Sequence, residues 1–113
     1  MEGRDDFEEE RERLNDLVLE EGNLDLKRFF NLDNRVYEAG ALSRKTKELI
    51  GLISSLVLRC DDCIEYHLNR CYEEGVNDDE IQEAFSIGLV VGGSITIPHL
   101  RRAVDKWVKL RKG

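Results

Sequence analysis

The residues best suited to chemistry in this chain are two cysteines and a histidine that lie close together in the sequence. Cys60 and Cys63 are three positions apart, and His67 follows four positions after the second cysteine. If this segment is helical, side chains at these spacings share one face, and the two Cα atoms lie roughly 5 Å apart. A disulfide can span that distance. An imidazole can take a thiol proton, and the thiolate is the reactive form, so the spacing predicts a redox dithiol with its own base.

The sequence leaves open which of the two cysteines attacks a substrate. Cys60 falls at the expected start of its helix, where unpaired N–H groups and the helix dipole favour an anion and lower a thiol pKa. Cys63 is nearer to His67 along the helix and is our slight preference. Asp61 and Asp62 act in the opposite direction, because their negative charges disfavour a thiolate, although both are also ordinary first-turn acids.

Zinc binding is an alternative use of these side chains. Cys60, Cys63, His67 and Cys71 have the residue types of a Cys₃His zinc site. On one continuous helix, however, Cys60 and Cys71 would lie about 16 Å apart along the axis. Ligands of a single zinc ion lie within about 4 Å of one another, given metal–ligand bonds near ~2.0–2.3 Å. We therefore expect no metal, and we expect Cys71 to be a core residue. Two buried cysteines that are three apart by chance remain the plainest alternative.

The composition indicates one helical domain. The chain has 113 residues, of which 41% are apolar and 36% charged, with a single proline. This size allows one core, and the scarcity of proline and aromatic residues argues against a sandwich or barrel. The longest apolar runs, 49–58 and 87–97, are shorter than the ~20 residues of a membrane span, so we expect no membrane association. Residues 1–6 show no secretory signal, and we expect a reducing, cytoplasmic location.

The net charge of −7 is concentrated at the N-terminus. Residues 1–21 contain ten acids and three arginines, whereas the remainder balances to zero. We therefore divide the chain into an acidic helical arm, 1–22, and a helical domain, 23–113. The segment 101–112 is basic, but the neutral body and acidic arm argue against nucleic-acid binding. This basic segment is either a solvated helix face or a surface for the acidic arm of the same or a neighbouring subunit.

Start and stop signals predict helices along almost the whole chain. The first runs over 5–21, and two short helices, 24–31 and 34–39, follow with a break near Leu32. The later helices are expected from their caps and breakers: one from Ser43 to about Leu58, the dithiol helix Arg59–Glu74 stopped by Gly75, one opened by an Asn77 capping box and interrupted at Gly92-Gly93, and a last one from Pro98 to about Leu110. His99 is expected to be structural or at the surface.

Residues 42–104 carry motifs that resemble the carboxymuconolactone decarboxylase-like family, in particular its alkylhydroperoxidase D branch. The matching elements are Leu42-Ser43, Glu48-Leu49-Ile50, Cys60-x-x-Cys63-x-x-x-His67, Gly75-Val76, Glu80-Ile81, Glu83-Ala84 and Gly92-Gly93. The resemblance implies an all-α subunit of about six to seven helices that forms homo-oligomers, commonly trimers or hexamers. It also implies a peroxidase or disulfide-reductase activity on the cysteine pair.

The same resemblance implies a catalytic set of Cys60, Cys63, His67 and Glu48, in which Glu48 supports His67 and the relay lowers the thiol pKa. Glu48 lies in an apolar stretch, where a carboxylate needs a partner; the alternative places it on a solvated side with Lys45 and Lys47. The best-known peroxidases of the branch have a histidine at the position of Asp62. An acid there should raise the thiol pKa and slow peroxidase turnover more than dithiol–disulfide exchange.

The resulting expectation is a thiol-dependent antioxidant oxidoreductase that needs no cofactor. Its partners would be a hydroperoxide or disulfide substrate and a dithiol reductant protein. Two alternatives remain open. A decarboxylase of the same fold would act on a small cyclic carboxylic acid and would need an acid/base and a cationic clamp instead of a dithiol. A non-enzymatic oligomeric scaffold would have thiols with ordinary pKa values near ~8.5.

Overall fold

The computed structural model describes residues 2–113, with side chains described from residue 6 onward. Over these residues the chain forms six α-helices, one short 3₁₀ helix and no strand, so the all-α prediction is confirmed. The α-helices are α1 (Glu2–Glu21), α2 (Leu24–Val36), α3 (Arg44–Val57), α4 (Asp61–Glu73), α5 (Asp78–Gly92) and α6 (Ile97–Lys112). The 3₁₀ helix, Ser94–Thr96, joins the last two of them.

Helices α3 to α6 enclose the hydrophobic core. Helix α3 packs against both α4 and α5, and α4 packs against α6 on its other side. Each of these helices has apolar residues at helical spacing on its inner face, which is the pattern of a helix that buries one stripe. The core side chains are Leu52, Leu56, Ile64, Leu68, Cys71, Val76, Ile81, Phe85, Ala103, Trp107 and Leu110. Helix α4, which carries the cysteines, therefore lies between two core helices and is held on both sides.

Helices α1 and α2 lie outside this core and contact each other. Asn23 separates them and caps α2, since its side chain accepts a hydrogen bond from the N–H of Leu26 at 3.1 Å. The prediction of two short helices with a break near Leu32 is wrong, because α2 continues from Leu24 to Val36. The residues at the expected break, Leu32 and Asp33, cost a helix interior well under ~1 kcal/mol each, too little to interrupt it without Gly or Pro.

The end of α3 is joined to the start of α4 through Cys60. Arg59 adopts a left-handed conformation (φ 60°), and the N–H of Cys60 then donates to the carbonyl of Ser55 at 3.1 Å. The N–H of Arg59 itself donates to Leu56 at 3.0 Å, which completes a Schellman motif. Glycine usually occupies the left-handed position, as Gly75 does after α4 (φ 79°). The dithiol helix therefore begins two residues later than predicted, and Cys60 lies at its N-cap as expected.

The predicted N-terminal signals of the three helices α3, α5 and α6 are confirmed. Ser43 caps α3 by accepting from the N–H of Thr46 at 3.1 Å. Asn77 and Glu80 form the expected reciprocal capping box at the start of α5, with both N···O distances 2.9 Å. Pro98 occupies the first turn of α6, where its missing N–H costs no helical hydrogen bond. These caps and the proline therefore mark the helix starts close to where the sequence predicts them.

The acidic arm contacts the dithiol helix instead of the basic C-terminal helix of its own subunit. Glu8 of α1 accepts hydrogen bonds from Asn69 at 2.8 Å and from Arg70 at 2.9 Å. Among the described side chains, the basic residues of α6 make their ion pairs with the domain: Arg102 with Asp61, Lys106 with Glu65, and Arg111 with Asp78. Of the two alternatives for this basic segment, a cover by the arm of the same subunit is not seen among the described side chains, because acids of α4 and α5 already pair with it.

Across residues 2–113, no helix combines the length and the apolar character that crossing a lipid bilayer requires.

Candidate functional site

Cys60 and Cys63 are joined by a disulfide bond at the N-terminal end of α4. Their Cα atoms are 5.3 Å apart, as the helical spacing predicted. The N–H of Cys63 also donates to the Sγ of Cys60 at 3.2 Å, so Cys60 caps its own helix with sulfur. Cys63 is exposed, whereas Cys60 is partly covered. The pair is therefore held at a position where helix N–H groups favour negative charge on Cys60 once the disulfide is reduced.

His67 lies one turn after Cys63 and is paired with Glu48 across the interface between α4 and α3. The Nδ1 of His67 is 2.8 Å from Oε1 of Glu48. Glu48 is 0% exposed and His67 is 7% exposed. The solvated alternative for Glu48 is wrong, because Lys45 pairs with Glu80 and Lys47 donates to backbone carbonyls between α2 and α3. A buried carboxylate requires a partner, and His67 provides it.

Tyr37, the residue that follows α2, approaches the other nitrogen of the imidazole. Its hydroxyl oxygen is 3.4 Å from Nε2 of His67. An ionised Glu48 can only accept, so Nδ1 carries a proton and Nε2 is left to accept from the hydroxyl of Tyr37. Burial raises the pKa of Tyr37, with the negative charges of Asp33 and Glu48 adding to the effect, so this phenol stays protonated. No sequence pattern indicates Tyr37, because its contact with His67 spans thirty positions and follows no helical spacing.

A cavity of about 200 Å³ brings one cysteine of the dithiol and the histidine to one surface. Cys63 and His67 both line it, together with Tyr37, Tyr66 and Asp62. The Tyr66 ring stands edge-on to the imidazole at 5.0 Å between centroids, and burial raises the pKa of its hydroxyl. The expected convergence of Cys63 with His67 and Glu48 is therefore present, and it includes two tyrosines that the sequence did not indicate. Asp62, the acid between the two cysteines, also lines this cavity.

Gly51 fixes the position of the imidazole from the side of α3. A Cβ built on Gly51 would lie 2.6 Å from Cε1 of His67 and 2.8 Å from each ring nitrogen. The absence of a side chain therefore allows α3 and α4 to approach closely enough for Glu48 to reach His67. We expect Gly51→Ala to displace the imidazole ring and to lower the rate of thiol chemistry at Cys63 about tenfold. The same substitution should lower the free energy of unfolding by about 1–3 kcal/mol through overpacking. Thermal unfolding and activity measured together test this prediction.

Gly88→Ala is the matched control for that substitution. A Cβ on Gly88 would lie 2.7 Å from Cδ2 of Leu56, a comparable clash in the core away from the imidazole. Gly88→Ala should lower the melting temperature to a similar extent and leave the rate of the folded protein within about twofold. Equal losses of rate in both variants would show that Gly51 serves the fold alone.

A second polar cluster holds the beginning of α4 against α6. Asp61 accepts hydrogen bonds from Arg102 at 2.9 Å and lies 2.7 Å from Nδ1 of His99. The hydrogen bond with His99, followed by the interaction with Arg102, holds the pKa of Asp61 below its usual range. Asp61 therefore has a structural partner and is more than a first-turn acid, and His99 is structural, as expected. The cluster anchors the turn that carries Cys60.

Cys71 is separate from the redox pair. It is fully buried in the core, as predicted, and burial raises the pKa of its thiol to about 12. A thiol in this state does not supply a thiolate near neutral pH. Within residues 6–113, no three His, Cys, Asp or Glu side chains converge where they could hold a metal ion. Cys71 therefore serves packing, and only Cys60 and Cys63 remain for thiol chemistry.

The fold agrees with what comparison with known proteins shows. Residues 25–106 match the carboxymuconolactone decarboxylase family, which is most of the chain. The chain therefore belongs to that family. A curated relative, uncharacterized protein 4 in the cox locus of Paracoccus denitrificans, is 30% identical over 76 residues, covering 67% of this chain and 68% of the relative.

Crystal structures of TM1620 from Thermotoga maritima are similar to this chain over almost its full length. One has a TM-score of 0.93 at 62% identity and covers 95% of this chain and 94% of that chain. A second, at 61% identity and a TM-score of 0.92, covers 95% and 91%; it is described as a family protein "possibly involved in antioxidative response". A family protein from Legionella pneumophila, at 21% identity, shares the fold with a TM-score of 0.82 over 97% of this chain and 98% of that chain.

Proposed function

We propose that this protein is a thiol-dependent antioxidant oxidoreductase that uses Cys60 and Cys63 to reduce a hydroperoxide or a disulfide. The observation that carries the proposal is the shared cavity, in which an exposed redox cysteine and a histidine backed by a buried carboxylate face the same space. A nucleophile, a base and a group that orients the base are the elements of an activated thiol. The antioxidative role suggested for TM1620 supports the same class of function for this chain.

In the peroxidase reaction, the thiolate of Cys63 attacks the distal oxygen of a hydroperoxide and breaks the O–O bond. Cys63 becomes a sulfenic acid, and the alkoxide leaves as an alcohol after it takes a proton. The thiol of Cys60 then attacks the sulfenic sulfur, which forms the Cys60–Cys63 disulfide and releases water. An external dithiol reduces that disulfide by exchange and becomes a disulfide itself, so two electrons pass from the dithiol to the peroxide.

The roles of the two cysteines follow from their surroundings. Cys63 is the exposed sulfur-bearing residue in the cavity with His67, so we assign it the attack. Cys60 is partly covered, and its Sγ faces a helix N–H. A thiolate stabilised in this way is a good leaving group when an external thiolate attacks Cys63 to reduce the disulfide. An exchange reaction with a disulfide substrate uses the same two roles, with a mixed disulfide at Cys63 in place of the sulfenic acid.

Glu48, His67 and Tyr37 form the proton path of this proposal. Glu48 holds the proton on Nδ1 of His67 and stabilises the imidazolium that forms when Nε2 takes a proton. Nε2 faces the hydroxyl of Tyr37, which lines the same cavity as Cys63 and can pass a proton between the thiol and the imidazole. Asp62 opposes thiolate formation from its place in the cavity. We therefore expect peroxide turnover to be slower than dithiol–disulfide exchange.

The proposal is tested by following hydroperoxide consumption by the reduced protein, with dithiothreitol as the dithiol donor. One molecule of dithiothreitol should be oxidised for each molecule of hydroperoxide lost, and the protein should return to the disulfide form when the dithiol is exhausted. A protein that leaves the hydroperoxide unchanged but reduces a model disulfide would retain only the exchange half of the proposal. A protein that does neither would refute it.

We also propose that the chain assembles into a homo-oligomer, a trimer or a hexamer. Helices α3 and α5, with the residue that caps the end of α3, expose apolar side chains that a soluble monomer rarely leaves uncovered together. These side chains are Ile50, Leu58, Ile87, Val90 and Val91. Light scattering should give three or six times the monomer mass, and Val90→Glu should lower that mass while the matched exposed substitution Val104→Glu on α6 should not. A monomeric mass at micromolar concentration would contradict the proposal.

The dithiol reductant protein and the cytoplasmic location remain predictions.

A further inference from the structure

The cavity that Cys63 lines has a wall that comes from outside the segment matched by the family model. Phe7 and Arg11 of α1 line the cavity together with Cys63 and His67. Both residues precede residues 25–106, the segment that matches the family. They lie four positions apart on one helix and therefore on one face, one turn from each other. The acidic arm thus adds two side chains of its own to a site whose reacting groups lie on α4.

Specific contacts hold this part of α1 against α4. The guanidinium carbon of Arg11 lies 3.8 Å from the ring centroid of Tyr66, a close cation–π contact. Glu8, which lies between the two wall residues, accepts hydrogen bonds from Arg70 at 2.9 Å and Asn69 at 2.8 Å. Asn69 is fully buried, so this anchor reaches into the domain. The wall is therefore fixed to the helix that carries the dithiol.

The lining of the cavity indicates what kind of molecule fits. Its volume of about 200 Å³ exceeds the roughly 150 Å³ of an apolar cavity that holds benzene. Three aromatic rings line it, those of Phe7, Tyr37 and Tyr66. Its formally charged side chains, apart from His67, are Arg11, Asp33 and Asp62. Negative charge exceeds positive charge among them, so the cavity disfavours an anion, while Arg11 limits that bias.

We propose that the N-terminal helix is the outer wall of the dithiol cavity, that Phe7 selects a compact organic hydroperoxide for Cys63, and that Arg11 partly offsets the acids that disfavour an anion there. Phe7 supplies apolar contact for the body of the substrate, and Arg11 holds Tyr66 and sets the charge beside the sulfur. The choice of hydroperoxide rests on the proposed function. The presence of the wall beside Cys63 does not, and each is tested separately.

The wall is tested by alkylation of the reduced full-length protein with iodoacetate and iodoacetamide. These reagents have similar size and differ by one negative charge, and the ratio of their rates at Cys63 cancels any change in thiol pKa. Arg11→Gln should lower the iodoacetate-to-iodoacetamide ratio about threefold, since a positive charge near the sulfur is lost. Asp62→Asn should raise the ratio by a similar factor. An unchanged ratio in Arg11→Gln would contradict the proposal that α1 forms a wall beside Cys63.

Arg13→Gln is the matched control for Arg11→Gln. It removes the same charge from the same helix, but Arg13 is exposed and pairs with Glu10 within α1. Its alkylation ratio should stay within experimental error of the wild type. A ratio that falls equally in both variants reports only the overall charge of the arm and also overturns the placement of Arg11 beside Cys63.

Substrate selection is tested with cumene hydroperoxide and hydrogen peroxide. Phe7→Ala should raise KM for cumene hydroperoxide about tenfold, because apolar contact is lost, and should change KM for hydrogen peroxide less than twofold. Phe29→Ala, an exposed aromatic residue of α2, is the control and should change neither. Equal changes for both peroxides in Phe7→Ala overturn the selection. A wild-type protein that consumes neither peroxide refutes both the peroxidase proposal and the proposed substrate selection. The alkylation ratios would still decide whether α1 forms a wall beside Cys63.

Discussion

Replacement of Cys63 by serine is expected to abolish peroxide reduction in the first turnover, measured with pre-reduced protein and no added dithiol. Cys60→Ser should still consume one equivalent of peroxide per subunit, and it should accumulate a sulfenic acid at Cys63 because the resolving thiol is missing. Mass spectrometry after trapping with dimedone identifies that adduct. The expected loss for Cys63→Ser exceeds about 1,000-fold, since serine has no comparable anion near neutral pH.

Cys71→Ser is the control for the cysteine variants. The thiol of Cys71 is buried and its pKa is raised to about 12, so its loss should leave the first turnover unchanged in the folded protein. The reverse pattern, with the adduct at Cys60 and no reaction in Cys60→Ser, would exchange the roles of the two cysteines. Decarboxylation of a small cyclic carboxylic acid that persists when both Cys60 and Cys63 are serine would favour the decarboxylase alternative on this fold.

Glu48→Gln should reduce the first-turnover rate about 100-fold at neutral pH, within the usual range for loss of acid–base assistance. The glutamine has nearly the same shape and can still accept from Nδ1 of His67, but it removes the negative charge that stabilises the imidazolium. The deficit should shrink above pH ~8.5, where an ordinary thiol ionises without help. Stopped-flow measurement of the rate across pH gives both quantities.

Glu83→Gln is the control for Glu48→Gln, because Glu83 is an exposed acid of α5. It should keep the wild-type rate within about twofold. A deficit in Glu48→Gln that is equal at every pH would indicate that the carboxylate shapes the site without assisting thiolate formation. A wild-type rate at neutral pH would remove Glu48 from the mechanism.

Much of the site could be read from the sequence because its core is local. The positions of Cys60, Cys63 and His67 depend only on helix spacing, and the structure places them at the start and along one side of α4. Glu48 was found through a family resemblance and through the cost of burying a carboxylate, and it does pair with His67. Gly75 and the other helix signals worked for the same reason, since each acts on the neighbouring backbone.

What the sequence missed depends on tertiary contacts. Tyr37 meets His67 across thirty positions, and Phe7 and Arg11 approach Cys63 from a helix outside the core. No periodicity links such residues, so spacing cannot reveal them. The break predicted near Leu32 failed for the opposite reason: the local signal was real but weak, and the helix continued through it.

The most direct test of the account is the pH dependence of alkylation at each cysteine, resolved by mass spectrometry after reduction and after reoxidation. We predict that Cys60 and Cys63 form a reversible disulfide and that one of them titrates well below the ordinary thiol pKa of ~8.5. Cys71 serves as an internal reference and should remain unmodified until the protein unfolds. Two thiols that titrate near ~8.5 and do not pair on oxidation would contradict the account.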